Sequence, residues 1–397
     1  MAERSDDPAP AAGNDVQETV IARVMTSTSM DKHPTAFYTT GLPVLQVALN
    51  VDAMTRHLAP WLASLVPPGH TPVVGYAKLI AYKQGNRGLI HYEVTSREGG
   101  PRRLVFGKLY PAANQAERVE ATMRPLWAGV FGGRTDVGIP QPLGVIPDLS
   151  MLVYLPAEGR FLDEVILEDE AVRYMDLAGT WLGLLHQSRL PLERRFQPAT
   201  EIANLHAWAA LIGHKYPDQT EDALRISQLL QDALPNLGFA AEAPIHKDFH
   251  YGHIVVADGL KIIDFDEMRL GDPNFDLAHF CANLYLLAQR KNMPPRRCAE
   301  LQSVFVRAYA RQTGWTANPR FVYFYGYTCL KIAKQLCTRR GLRPRPEGEE
   351  QYRQLRLMVA HGLAALGYDV GRQMSGTFAT LIMSAPGALR PDGAAEK

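Results

Sequence analysis

The chain has 397 residues, enough to bury one large core or two smaller ones. With 46% hydrophobic and 21% charged residues it reads as an ordinary soluble globular protein, and a formal net charge of +1 gives no global case for nucleic acid or a membrane surface. No apolar run reaches the roughly 18 residues that span a bilayer. The N-terminus lacks the basic-then-apolar order of a secretory signal. Cys281, Cys298, Cys329 and Cys337 form no C-x-x-C pair, so reduced, buried thiols and a cytoplasmic location are expected.

The first residues are rich in Ala, Pro, Asp and Glu, and residues 1–35 are expected to be a disordered tail. Val51, Met54, Leu58, Trp61, Leu62 and Leu65 recur at helical spacing and predict a helix over 51–66, ended by Pro67-Pro68-Gly69. Three strand-like runs follow at 77–82, 89–95 and 102–110, joined by turns at 83–88 and 98–100, which makes two hairpins of an antiparallel sheet. A helix is predicted over 113–128 with Val119, Met123, Leu126 and Trp127 inward, then a loop over 129–138 and a strand from Met151 to Leu155. From Glu170 the chain reads as mainly helical, broken only by a hairpin over 245–264. The end from 387, rich in Ala, Gly and Pro, is expected to be flexible. The pattern is that of an α+β protein in two layers.

The chemistry concentrates in His246-Lys247-Asp248-Phe249-His250-Tyr251-Gly252-His253-Ile254-Val255-Val256, followed by Ile262-Ile263-Asp264-Phe265-Asp266. An Asp-bearing loop enters an apolar strand, a turn at Asp258-Gly259 reverses the chain, and the second strand ends in a carboxylate. Asp248 and Asp264 thus flank the mouth of one hairpin. One carboxylate there can orient and deprotonate a hydroxyl while the other holds Mg²⁺ on a nucleotide phosphate. An isolated Asp is often just a turn cap; the flanking motif favours chemistry here.

This stretch resembles the His-x-Asp-x4-Asn then Ile-Asp loop of the aminoglycoside phosphotransferase and choline kinase superfamily, and the likeness extends over about residues 75 to 285. It implies a bilobal protein-kinase-like fold, with a small antiparallel sheet lobe at 36–155 and a mainly helical catalytic and substrate lobe at 156–386, followed by the flexible tail at 387–397. It also implies ATP (or GTP) and Mg²⁺ as cofactors and a small-molecule hydroxyl as acceptor. By resemblance, Asp248 is the catalytic base, Asp264 the Mg²⁺ ligand, and Lys108 the third-strand lysine on the α and β phosphates. Glu120 is the favoured carboxylate partner of Lys108, with Glu117 the alternative. Lys83, Gly85 and Arg87 lie where a nucleotide-covering loop belongs, although Gly-Asn is also an ordinary turn. Met151 to Pro156, including Tyr154, looks like the connector whose backbone reads adenine. His246 is a supporting residue that fixes the Asp248 loop. Asp266, two residues from Asp264 on an extended segment, would share its face. Asp272 and Asp276, in Gly271-Asp272-Pro273-Asn274-Phe275-Asp276, pin the catalytic loop and cap a helix. His186 reads as packing. Lys247 replaces a Gly of many relatives; a cation beside the base could contact a phosphate, but the expected reading is that it faces solvent.

His253 departs from the pattern, standing where the family has Asn. Imidazole is a softer ligand than a carbonyl oxygen. Three readings stay open: His253 holds the metal directly or through water; the protein binds nucleotide without turnover, like a pseudokinase; or His246, His250 and His253, spaced H-x3-H-x2-H, form a transition-metal site with an Asp. Residues 285–360 carry fifteen Lys and Arg against four Glu, a local net charge of +11. That field disfavours a polycationic aminoglycoside and points to a neutral or anionic acceptor. No membrane or nucleic-acid partner is expected, since the basic helices lack a recognisable RNA module.

Overall fold

The computed structural model describes residues 44–83, 87–238, 240–338 and 346–367. The expected tails at 1–35 and 387–397, and Gly85, lie outside the described residues. The chain divides into two compact units: residues up to 128 with 139–161 and 255–263, and residues 129–138, 162–254 and 264 onward.

In the first unit five strands form one antiparallel sheet. They are β1 (Pro72–Lys83), β2 (Arg87–Ser96), β3 (Arg103–Leu109), β4 (Gln141–Ile146) and β5 (Met151–Leu155), in spatial order β1-β2-β3-β5-β4. Helix α1 (Val51–Leu62) lies on one face, where Met54, Leu58 and Leu62 pack with Val74, Ile90, Tyr92, Val105, Met151 and Val153. The Asn50 side chain caps α1 by accepting the Ala53 N–H at 2.8 Å. The helix stops at Leu62, short of the expected 66, because the chain tightens into turns: Ser64 and Leu65 donate to the Trp61 and Leu62 carbonyls, three residues back. Pro67 bars the residue before it from continuing a helix. Helix α2 (Ala113–Ala128) has the expected span, with Val119, Met123 and Leu126 buried. Strand β4 was not legible, since Pro142 and Gly144 break its pattern; as an edge strand it tolerates the proline.

The second unit holds helices α3 (Ala171–Gln187), α4 (Ile202–Lys215), α5 (Thr220–Ala233), α6 (Asn274–Arg290), α7 (Pro295–Thr313), α8 (Pro319–Thr338) and α9 (Pro346–Ala365). Every residue of α6 from Asn274 to Ala288 is buried, so this helix is the axis on which α7 and α8 pack. Two short strands, Ala243–Ile245 and Arg269–Gly271, pair antiparallel. They bracket the chemistry-bearing stretch: one leads into His246, the other leads out to Asp272. The hairpin strands form at Ile254–Val256 and Leu260–Ile262; residues 255–263 group with the first unit, where Arg160–Phe161 pairs with Val255 and Val256. No helix among the described residues is long and apolar enough to cross a membrane. All four cysteines are buried free thiols.

Gly107 on β3 sits under the core. A Cβ there would meet Met151 Sδ at 2.6 Å and Tyr92 Cε2 at 2.8 Å. Gly107→Ala is therefore expected to cost about 1–3 kcal/mol through overpacking, read as a lower urea midpoint. An unchanged midpoint would show that this core yields freely.

Candidate active site

The site in the second unit starts from one buried carboxylate. Asp276, in the first turn of α6, is fully buried. Its Oδ2 accepts the backbone N–H of His246 at 2.6 Å, and its Oδ1 accepts that of Lys247 at 2.9 Å. The His186 ring closes the network, with Nε2 3.2 Å from Asp276 Oδ2 and Nδ1 2.8 Å from the Tyr309 hydroxyl. Burial alone would raise the Asp276 pKa, but these donors outweigh it and hold the carboxyl below its ordinary range. His186 is thus a hydrogen-bonding bridge as well as packing. Asp272 does a second fixing job: Oδ1 accepts the Asn274 N–H at 2.9 Å, and Oδ2 pairs with Arg320, which also donates to the Leu237 and Gly238 carbonyls.

An aromatic stack holds the loop from beneath. Phe131, Trp181 and Phe249 lie nearly parallel, with centroids 5.2 and 5.5 Å apart, and the Trp181 indole N–H donates to the Gly138 carbonyl at 2.9 Å. His246 packs edge-on against Trp181 and Phe249, and burial lowers its pKa.

Asp248 faces out of this floor with a side chain 38% exposed. Its Oδ1 lies 3.6 Å from His279 Nε2, and its Oδ2 lies 3.8 Å from both His250 Nε2 and His253 Nδ1. These separations exceed ordinary hydrogen bonds, so the rings act mainly through their fields. Burial would raise the Asp248 pKa; His279, His250, His253 and Lys331 together hold it well below the carboxylate range. Burial drives His250 well below the range of free imidazole, and burial with the nearby Lys331 pushes His279 down to about 4.

The ring protons can be assigned from their partners. The Gly252 N–H donates to His250 Nδ1 at 3.0 Å, so in the neutral ring Nε2 carries the proton and faces Asp248. A Cβ on Gly252 would sit 2.9 Å from the His250 ring, so glycine is needed for this contact. His253 Nδ1 lies 2.8 Å from the Asp248 carbonyl oxygen, which only accepts. Nδ1 therefore holds a proton, and Nε2 lies 3.6 Å from Asp264 Oδ2; in the tautomer with Nδ1 alone protonated, that nitrogen offers a lone pair. A lone pair facing a carboxylate is a donor set that fits a divalent cation. Asp248, His250 and His253 also have ligand atoms within 4.8 Å of one another. The tautomer of His250 argues against that trio, because its Nδ1 is taken and its Nε2 is protonated.

Two expectations about this stretch need correction. Lys247 does not face open solvent: it is half-buried, its Nζ lies 3.9 Å from the Phe196 ring centroid and 5.0 Å from that of Phe275, and burial with the nearby Lys331 pushes its pKa down to about 8. Its φ of +71° is left-handed, which explains why glycine suits this position. Asp266 does not share an extended face with Asp264, because Asp264 is itself left-handed at φ +69° and the chain turns there. Asp266 is buried, and its carbonyl accepts from Arg194 at 3.1 Å.

The remaining candidates lie in the first unit. Lys108 is half-buried on β3, flanked by Leu89 and Leu152, so it stands in mid-sheet and not at an edge; its Nζ is 5.6 Å from the Tyr110 ring. Glu120 is engaged by Arg124 one turn along α2, not by Lys108, and Glu117 is exposed. Lys83 and Arg87 pair across the β1–β2 hairpin. Tyr154 is flanked by Phe106 and Pro142, with its ring edge-on to Phe106, so it lies inside the sheet, whose strand runs to Leu155.

The sequence matches the Phosphotransferase enzyme family over residues 81–324. The chain belongs to that family. In fold it is similar to a putative aminoglycoside phosphotransferase from Ralstonia eutropha, at 14% identity and TM-score 0.54, covering 79% of this chain and 98% of that one. It is also similar to a spectinomycin phosphotransferase in complex with ADP and spectinomycin, at 13% identity and TM-score 0.50, covering 84% and 93%. A choline/ethanolamine kinase family protein from Mesorhizobium loti aligns at 17% identity and TM-score 0.49, covering 83% and 99%. A comparison with curated protein sequences found no match. The antiparallel sheet followed by helices is thus the protein-kinase-like fold of this phosphotransferase family.

Sequence reasoning missed His279, Lys331 and the Tyr309 end of the His186 bridge. For His279 a signal existed: it lies three residues after Asp276, on the same helix face. Nothing local marks Lys331.

Because the folded Asp276 pKa is depressed, its stabilisation is present above the unfolded value of about 3.9 and is lost as pH falls through the folded value. Asp276→Ala should cost about 3–5 kcal/mol at neutral pH by stranding two loop N–H groups and His186, with a smaller deficit in acid. A loss under 1 kcal/mol in urea unfolding at neutral pH would mean the loop stands without this anchor.

Proposed function

We propose that this phosphotransferase moves the γ-phosphoryl group of ATP to a hydroxyl of a small molecule that is neutral or anionic. The observation that carries the reading is the Asp248 carboxylate, kept ionised among three imidazoles and next to the His253–Asp264 pair. In the transfer, the acceptor oxygen forms a new bond to phosphorus, the bridging P–O bond to ADP breaks, and the hydroxyl proton goes to Asp248. A carboxylate held well below its usual pKa is a weak base. Its main work is to orient the hydroxyl by accepting its hydrogen bond, with proton transfer late, as suits a loose phosphoryl transition state. Lys108, on the sheet of the first unit, is assigned to the nucleotide phosphates. The ADP bound by the spectinomycin phosphotransferase supports a nucleotide donor.

Asp264 and His253 would hold the divalent cation, which supplies charge neutralisation on the phosphates when bound. Mg²⁺ takes oxygen ligands, whereas imidazole suits Mn²⁺ and later metals. The reading of a protein that binds nucleotide without turnover rested on His253. The placement of His253 Nε2 3.6 Å from Asp264 supports the reading in which His253 serves the cation.

Asp248→Ala should lower turnover by about 10²–10⁴-fold while leaving nucleotide binding intact; wild-type turnover in that variant would refute the assignment. For the cation, the melting-temperature rise with ATP is expected to be larger with Mn²⁺ than with Mg²⁺, to vanish in Asp264→Asn, and to shift towards Mg²⁺ in His253→Asn. Equal metal preference in wild type and His253→Asn would take His253 out of the coordination sphere.

A further inference from the structure

The base has two differently furnished sides. Asp248 Oδ2 faces His250 and His253, the side of the candidate cation pair. Oδ1 faces His279, whose ring stacks on the fully buried Phe275 at 5.5 Å and 12°, and whose Nδ1 lies 3.4 Å from the Thr328 hydroxyl on α8. Lys331 is one turn further along α8, and its Nζ lies 5.9 Å from the same Phe275 ring that carries Lys247 Nζ at 5.0 Å. Two ammonium groups of half-buried residues therefore share one aromatic ring, the ring on which His279 stacks, and Lys331 is near enough to Asp248 to help lower its pKa.

Neither ammonium forms an ion pair among the described residues. The carboxylates nearby are otherwise engaged: Glu201 accepts from the Tyr327 hydroxyl at 2.9 Å and from Asn204 at 3.1 Å, Glu267 pairs with Arg269 at 2.7 Å, and Asp248, whose pKa Lys331 helps to lower, is the candidate base. Several other cations of the basic segment are paired with carboxylates: Arg311 with Asp176, Arg320 with Asp272, Arg353 with Glu350. Two adjacent cations partly removed from water repel each other, and Lys247 feels it in its lowered pKa. An anion between them relieves both costs.

Resting on the phosphotransferase reading, we propose that the acceptor carries an anionic group, a carboxylate or a phosphate, bound by Lys331 and Lys247 over Phe275, which places its hydroxyl at Asp248. A polycation is rejected by the same two groups. The bonds made and broken are those of the transfer above; the anion only binds.

The test uses the full chain saturated with Mn²⁺ and ADP, so that anions do not enter the nucleotide site. Calorimetric titrations compare matched probes, glycerol with glycerate, glucose with gluconate, and ribose with ribose 5-phosphate, alongside kanamycin, on wild type, Lys331→Met and Lys331→Arg. At least one anionic probe should bind about tenfold or more tightly than its neutral partner, the size of one charge-assisted contact. That preference should collapse in Lys331→Met and return in Lys331→Arg. The carboxylate and phosphate arms tell the two anions apart. No anion preference in any pair, a preference untouched in Lys331→Met, or tighter binding of kanamycin would each overturn the proposal. A separate ADP titration reports on the underlying reading. Failure to bind ADP, with a Lys331-dependent anion site retained, removes the phosphotransferase reading and leaves the anion site standing.

Discussion

The site depends on one ionised carboxylate with no access to water. Asp276 is buried in the first turn of α6, where the helix dipole favours negative charge. A buried charge is tolerable only when donors surround it. Here two of those donors are successive backbone N–H groups of the loop that carries Asp248, and the third is His186, itself tied to Tyr309 on α7. The carboxylate's need for partners therefore fixes the backbone at 246 and 247, and Asp248 follows from that backbone. A residue at 276 without an acceptor would leave the same loop with unsatisfied amides and no reason to adopt this path.

From that fixed point the imidazoles acquire direction. The protein arranges a backbone N–H against His250 and a backbone carbonyl against His253, and those two partners set opposite tautomers in rings whose centroids are 4.1 Å apart. One ring turns an N–H towards Asp248; the other turns a lone pair towards Asp264. A sequence reader sees three histidines at metal-like spacing. Local hydrogen bonding decides that His253 can ligate in its neutral form and His250 cannot.

The legible parts of the chain were those with local signals. The hairpins of the sheet, the span of α2 and the loop motif followed from periodicity, turn residues and short spacing. The pinning role of Asp276 followed from its motif. What was hidden depended on distant partners. Strand β4 hides behind Pro142 and Gly144, and only its edge position excuses the proline. The fate of Lys247 was decided by Phe196 and Phe275, which nothing in its neighbourhood announces. The extended face imagined for Asp264 and Asp266 failed because a left-handed Asp leaves no sequence mark. Lys331 enters the site through a chain of contacts, Asp248 to His279 to Thr328, that spans three separate segments.

Lys247 shows where fold and chemistry pull apart. Its left-handed backbone costs about 1–3 kcal/mol for a residue with a Cβ, and glycine would carry no such cost. Its ammonium is partly desolvated, lies near another cation, and forms no ion pair among the described residues. The cation–π contact with Phe196 offsets this by about 0.5–2 kcal/mol. Stability alone thus argues for a different residue at this position. Local conflicts of this kind are expected where a side chain serves a ligand absent from the folded chain's own ledger. Lys247 is adjacent to the candidate base, and its strain points towards whatever binds there with opposite charge.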